Sequence, residues 1–306
     1  MQPIIKIVGI GGSGSNTISR MEKLQLDGIE LVAINTDSQA LHYSRADKKI
    51  LIGQDITRGL GTGMNADLGK QSAEESRVGI LESLNGADMV FITCGLGGGT
   101  GSGAAPIVAG LAKELNILTI AVVTTPFFFE GLERRKIAEK AIENFKGNVD
   151  SLLIISNDRM MKIIDEKTTV SNAFLICDEV LEQAVKGITD LILAPGIINI
   201  DFPSIVSILK SSGRAMFGTG RAIGENRAVL AAEKAIASPL LDFSMQGAKG
   251  VLFSVSGNDI TLNEIKLAAN VVTKNADSKA QIVFGAVKDK TLLKGEIKVT
   301  VIATKL

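Results

Sequence analysis

The 306-residue chain is 45% hydrophobic and 22% charged, and its 33 Lys+Arg balance 33 Asp+Glu. That balance leaves no basic field for nucleic acid or anionic lipid, no apolar run approaches the ~20 residues of a membrane span, and no charged segment of a signal peptide precedes the first strand. Cys94 and Cys177 lie far apart without metal-ligand spacing and His42 is the only histidine, which argues against a disulfide framework, a protein-held metal or a His-dependent triad and fits a reducing cytoplasm.

The first apolar run, 4–10, ends in Gly9, Gly11, Gly12, Ser13, Gly14, Ser15 and Asn16, and a helix is expected from about Thr17. Gly9, Gly11 and Gly14 satisfy G-x-G-x-x-G, and Asp37 closes the next apolar run (29–35) 23 residues past Gly14. Taken alone, this is a dinucleotide fingerprint with its ribose-binding acid, and it keeps an NAD-dependent oxidoreductase open as an alternative. A third run, 88–94, leads into the glycine-dense stretch Gly95–Gly103 and an amphipathic helix over 104–115. Glycine permits the close backbone approach of an amide cradle, and the helix start adds partial positive charge, so a second phosphate loop is expected here. One pyrophosphate needs one such loop. Two suggest a longer phosphate chain gripped from both sides: Gly12, Ser13, Gly14 and Ser15 around the α/β-phosphates, and Gly99, Thr100 and Gly101 at the β/γ end. No G-x-x-x-x-G-K-[ST] occurs, which excludes the P-loop NTPases.

Further runs at 117–124 and 151–156 complete an alternation of strands and helices. It predicts an α/β fold: a doubly wound, mostly parallel sheet, with ligands beyond the carboxyl ends of the strands. Glu130 and Arg134, one helical turn apart after PFFFEG, read by themselves as a surface ion pair. From Thr169 to Leu193, Phe174, Cys177, Leu181, Ala184, Ile188 and Leu191 recur at helical spacing until Pro195-Gly196. Phe174 and Asp178 share a face of this helix. A phenyl ring can stack on a purine, and a carboxylate accepts from both N1–H and N2–H₂ of guanine, a pair adenine lacks. The remaining pattern, ending in strands at 282–287 and 296–303, predicts a smaller α+β domain. The expected division is 1–168, a connecting helix over 169–194, and 195–306.

The glycine stretch GGGTGSG (97–103), AINTD (33–37), TRGLGTGMN (57–65), VVTTPFFFEG (122–131), NDRMMKIID (157–165), NIDF (199–202), ASPLLD (237–242) and VTVIAT (299–304) together resemble the tubulin/FtsZ family, the FtsZ cell-division GTPases above all. The resemblance runs in order from about Lys6 to Leu306. It implies a cytoplasmic GTPase that binds GTP/GDP, with Mg²⁺ held mainly by the phosphates, and that polymerises head-to-tail with itself into protofilaments. It places Asn16, Asn157, Phe174 and Asp178 on the guanine, Glu130 on the ribose and Arg134 near the phosphates. Two departures stand out: Ser13 and Ser15 replace glycine in the first loop, and Thr125 stands where a basic residue is frequent.

The loop over 199–204 matters most for turnover. In the family it carries N-x-D-x-x-[DE], and its two acids reach the γ-phosphate of the neighbouring subunit. Asp201 supplies the first acid here, whereas Ser204, after Pro203, stands at the second position. A hydroxyl neither serves as a base near pH 7 nor adds charge to a cation, so slow hydrolysis is expected. A structural polymer with little turnover is the neighbouring alternative. The chain stops at its last strand, without the tail peptide by which FtsZ proteins meet membrane anchors, so no direct membrane contact is expected.

Overall fold

In a computed structural model of the chain, residues 2–24, 28–161, 164–165, 167–193, 196–238 and 245–304 are described. Pro195, the expected helix stop, lies outside them, as do Lys162, Ile163 and Pro239–Asp242 from the resembling segments. The chain divides into two compact units, Met1–Gln183 and Ala184–Leu306.

The first unit runs β1 (Ile5–Ile10), α1 (Gly11–Met21), β2 (Ile29–Asn35), α2 (Ser38–Tyr43), β3 (Lys48–Leu51), α3 (Gln54–Thr57), α4 (Ala66–Glu75), α5 (Arg77–Leu84), β4 (Met89–Gly95), α6 (Gly99–Glu114), β5 (Leu118–Thr125), α7 (Leu132–Phe145), β6 (Ser151–Ser156) and α8 (Asn157–Met160). Its strands lie in the order β3-β2-β1-β4-β5-β6, all parallel. This confirms the expected doubly wound architecture and sets a topological switch point between β1 and β4. The strands are apolar runs rather than alternating ones because helices cover both faces of a parallel sheet. Val8, Ile10, Val32, Ile34, Val90, Ile92, Val108 and Phe145 are buried in one core. The short strand β3 escapes the sequence reading, since Lys48-Lys49 interrupt any apolar run.

The long helix α9 (Val170–Leu193) passes from the first unit into the second. Cys177, Leu181, Ala184, Ile188 and Leu191 are all buried, as the periodicity requires, whereas Phe174 is 39% exposed. The second unit follows with β7 (Gly196–Ile198), α10 (Phe202–Leu209), β8 (Gly213–Ile223), α11 (Arg227–Ile236), β9 (Gly250–Gly257), α12 (Leu262–Lys274), β10 (Gln281–Lys288) and β11 (Glu296–Thr304). Here the order is β8-β11-β9-β10-β7, and only β9 and β10 run parallel. Alanines of α11 and Val272 of α12 bury against Val251, Phe253, Val299 and Val301 in a separate core.

Candidate nucleotide site

Of the two strands flanking the switch point, β1 runs directly into α1 and β4 reaches α6 through three residues, 96–98. Helix α1 starts at Gly11, not near Thr17, and α6 at Gly99, so most of both expected loops is helical. Glycine is a poor helix former, which is why the sequence reading assigns these residues to loops. Close packing overrides that preference. A Cβ on Gly14 would stand 2.6 Å from the Thr93 carbonyl oxygen, and one on Gly103 1.9 Å from that of Ala66. Neither helix start has a side-chain cap or an acid in its first turn. The Gly99 amide donates to the Gly63 carbonyl at 3.0 Å, and the remaining orphan amides and both dipoles favour an anion.

Both starts line one cavity of about 450 Å³ in the first unit. Gly12 and Gly98 line it too, and a Cβ on either would meet nothing within 4 Å. Their φ angles are not positive, so the fold does not require glycine there. A side chain there would instead take up open space at the border of the cavity. Gly11, with φ +73°, instead turns the chain from strand into helix.

The sequence-derived candidates fall into three places. Gly12, Ser13, Gly99, Thr100, Gly101, Glu130, Arg134, Asn157, Phe174 and Asp178 line the cavity. Gly14 and Ser15 are buried outside its lining, and Asn16 is exposed. Asp201 and Ser204 belong to the second unit.

At one end of the cavity, burial pushes the Asp178 carboxyl up to about 6, although the Arg20 guanidinium and the Ser13 hydroxyl favour its charged form. Arg20 also pairs with Glu179 at 2.9 Å and donates to the Leu175 carbonyl, fastening α9 to α1. Phe174 meets buried Phe127 edge-on, centroids 5.3 Å apart at 90°. Asn157 is 5% exposed, and its Oδ1 accepts no hydrogen bond among the described residues. A buried orphan acceptor calls for a donor from a ligand. Glu130 accepts from the Phe127 amide at 2.9 Å and from Arg134 at 2.7 Å, so the expected ion pair forms, but on the cavity wall. Cys177 also lines the cavity, and burial, with Asp178 and Glu130 nearby, pushes its thiol up to about 12. Cys94 is pushed up to about 12 by burial as well, so both cysteines are protonated, apolar filling.

Sequence reasoning missed Asn35. It is 2% exposed, its Oδ1 accepts from the Thr36 and Asp37 amides, and its Nδ2 has no partner among the described residues. It too lines the cavity. A polar residue ending an apolar parallel strand beside a glycine-bearing strand was the available signal, since such strand ends border the ligand crevice.

In the second unit, Asp201 caps α10, its Oδ1 accepting from the Ser204 amide at 3.1 Å. Hydrogen bonds from the Ser204 side chain and backbone hold its carboxyl below the usual range. Asn199 accepts from the Gly196 amide at 2.7 Å and closes the turn before the loop.

Residues 4–165 match the Tubulin/FtsZ family, GTPase domain, and residues 213–306 the FtsZ family, C-terminal domain. The chain belongs to the tubulin/FtsZ family. It is similar to the M. jannaschii FtsZ dimer at 43% identity and a TM-score of 0.95, covering 99% of this chain and 88% of that one. The W319Y mutant of the same FtsZ gives 43% identity and a TM-score of 0.94, covering 99% and 91%. CetZ2 from Haloferax volcanii shares the fold at 21% identity and a TM-score of 0.84, covering 99% and 92%.

The first unit thus carries a GTPase domain, and GTP/GDP is its ligand. The oxidoreductase alternative falls with that match. Asp37, which it needed on a ribose, has its Oδ1 engaged by the Ala40 amide at 2.9 Å as the cap of α2.

Proposed function

We propose that the cavity holds GTP with its phosphates across the starts of α1 and α6 and its base against Phe174, Asp178 and Asn157. The observation that carries this reading is the convergence of two helix starts without side-chain caps, from the strands flanking the switch point, on one cavity that is also lined by the half-buried Asp178 carboxylate. Gly12, Ser13, Thr100 and Gly101 bind through backbone amides, whereas Gly99 lines the cradle with its own amide donated to the Gly63 carbonyl at 3.0 Å. Glu130 takes the ribose hydroxyls, and Arg134 offsets phosphate charge. Asp178 accepts from the two guanine N–H groups, and adenine would leave that carboxylate unpaired. Gly14, Ser15 and Asn16 complete the first turn from behind.

The protein is a cytoplasmic cytoskeletal GTPase that assembles head-to-tail into protofilaments for cell division, in a contact that does not close. The 43% identical M. jannaschii protein, described as a dimer, supports self-association. Mg²⁺ is carried mainly by the phosphates and neutralises their charge. The 195–306 domain presents Asp201 to the nucleotide of the next subunit, where the carboxylate orients water. Ser204 leaves that centre one acid short. Its replacement of the second acid also favours the neighbouring reading, a GTP-bound polymer with little turnover, which differs only in rate. Among the described residues no helix is long and apolar enough to cross a membrane.

The test is chromatographic identification of nucleotide extracted from the purified protein, followed by sedimentation with and without GTP and phosphate release on the same sample. Guanine nucleotide, GTP-dependent pelleting and slow release are expected. Bound NAD or ATP would overturn the reading.

A further inference from the structure

Three threonines far apart in sequence meet at one end of the cavity. The hydroxyls of Thr36 and Thr100 lie 2.7 Å apart, and those of Thr100 and Thr62 3.0 Å apart. Thr62 and Thr100 line the cavity, whereas Thr36 is 0% exposed and lines none of it. The geometry points to Thr36 as a positioning residue that sets the GTP-over-GDP preference by polarising Thr100 and Thr62 toward the terminal phosphate.

The argument is a count of protons. Each hydroxyl donates one hydrogen bond and accepts up to two. Among the described residues Thr36 Oγ1 has Thr100 as its single partner. A fully buried hydroxyl with one available acceptor must send its proton there, since an unmade donor costs the full desolvation penalty. Thr100 Oγ1 therefore accepts from Thr36, and its own proton goes outward, to Thr62 or to a cavity ligand. If it goes to Thr62, the Thr62 proton is released, and the acceptor the protein offers it is the Gly63 carbonyl at a long 3.5 Å. A phosphate oxygen is a better acceptor than a carbonyl at that distance. A terminal phosphate therefore draws one hydroxyl proton, from Thr100 or from Thr62, and donation from Thr36 strengthens it cooperatively.

Its place in the cavity follows from the other contacts. In the proposed pose Phe174 and Asp178 mark the base end. Thr62 belongs to the segment whose Gly63 carbonyl accepts from the Gly99 amide at 3.0 Å, covering the start of α6. A phosphate chain running from α1 to α6 ends beneath Thr62 and Thr100. This inference rests on the proposed nucleotide pose. It adds a residue that touches no ligand and acts through two that do.

The test compares Thr36→Val, which keeps shape and removes the hydroxyl, with Thr36→Ser, which keeps the hydroxyl. Affinities for GDP and for guanosine 5′-(β,γ-imido)triphosphate are measured by calorimetry on the full chain. Thr36→Val is expected to weaken the triphosphate by about three- to tenfold, the scale of one hydrogen bond, while GDP shifts by less than about twofold. Thr36→Ser should restore the wild-type ratio. Equal weakening of both nucleotides, no change in either, or failure of Thr36→Ser to restore the ratio would overturn the inference. If Thr36→Val does not purify folded, Thr62→Val carries the same expectation of a triphosphate-selective loss. A wild-type protein that binds neither nucleotide would sink the proposed function itself, an outcome distinct from an unchanged ratio.

Discussion

The cavity of the first unit and the 199–204 loop of the second differ in what holds their functional groups. In the cavity, the proposed phosphate donors are backbone amides of two helix starts pressed onto the sheet so closely that Gly14 has no room for a methyl group. Buried side chains with unmet hydrogen bonds, Asn35 and Asn157, face the same space. In the loop, the functional group is one exposed carboxylate that already caps a helix. Binding is therefore written into the packing of the fold, while hydrolysis depends on side chains with few neighbours. A fold can keep the first and lose the second by substituting one loop residue, and in the proposed function Ser204 is such a substitution.

The sharpest test lies within the cavity. Gly12→Val should abolish nucleotide binding with little change in melting temperature, because its side chain enters the space the phosphates need. Gly14→Val should instead destabilise the fold by about 1–3 kcal/mol or more through overpacking. Calorimetric melting with nucleotide titration separates the two, and a Gly12→Val protein that still binds GTP would mean that the cavity start of α1 is not the cradle.

On the loop side, Ser204→Asp should raise assembled-state phosphate release by roughly 10²-fold, the lower end of what a positioned acid or base contributes. Unchanged release would show that another group supplies the missing charge.

Asp178→Ala should cost GTP binding about 1.5–3 kcal/mol, the scale of hydrogen bonds to a charged group, and narrow the preference over ATP. Its pH dependence gives the same residue a second readout. Burial raises the carboxyl of the nucleotide-free protein from its ordinary 3.8 to about 6. GTP needs the carboxylate, so affinity should fall by up to roughly tenfold per pH unit below about 6. The folded protein binds this proton more readily than the unfolded chain, so this group by itself makes the nucleotide-free fold more stable as pH falls from about 6 toward 3.8. Binding and stability then move in opposite directions, and a titration in which both fall together from Asp178 would contradict the assignment.

The smallest effect separates the two duties of Asp201. Asp201→Asn keeps a good cap and removes the charge, whereas Asp201→Ala removes both and should lower the melting temperature slightly. Both should lose turnover and retain GTP binding. Residual release in Asp201→Asn equal to wild type would leave Asp201 a cap alone.

Much of this protein was legible from residue order. Apolar runs of strand length, the heptad-like series on α9 and the glycine-rich strand ends predict a parallel sheet with a phosphate site at its carboxyl edge, because these patterns depend on neighbours within a few residues. Phe174 and Asp178 were legible for the same reason, one helical turn being a local distance. Tertiary structure alone decided which glycines face the ligand and which face the fold. Gly12 and Gly14 are indistinguishable in sequence, yet one borders open space and the other the Thr93 carbonyl. It also decided that the glycine stretches begin helices, that Asn35 enters the site, and that Thr36, Thr62 and Thr100 share one hydrogen-bonded chain across sequence separations of 64 and 38 residues. Each of these rests on contacts between segments that only the closed sheet brings together, and nothing in the local spacing of a residue encodes what will stand opposite its Cβ.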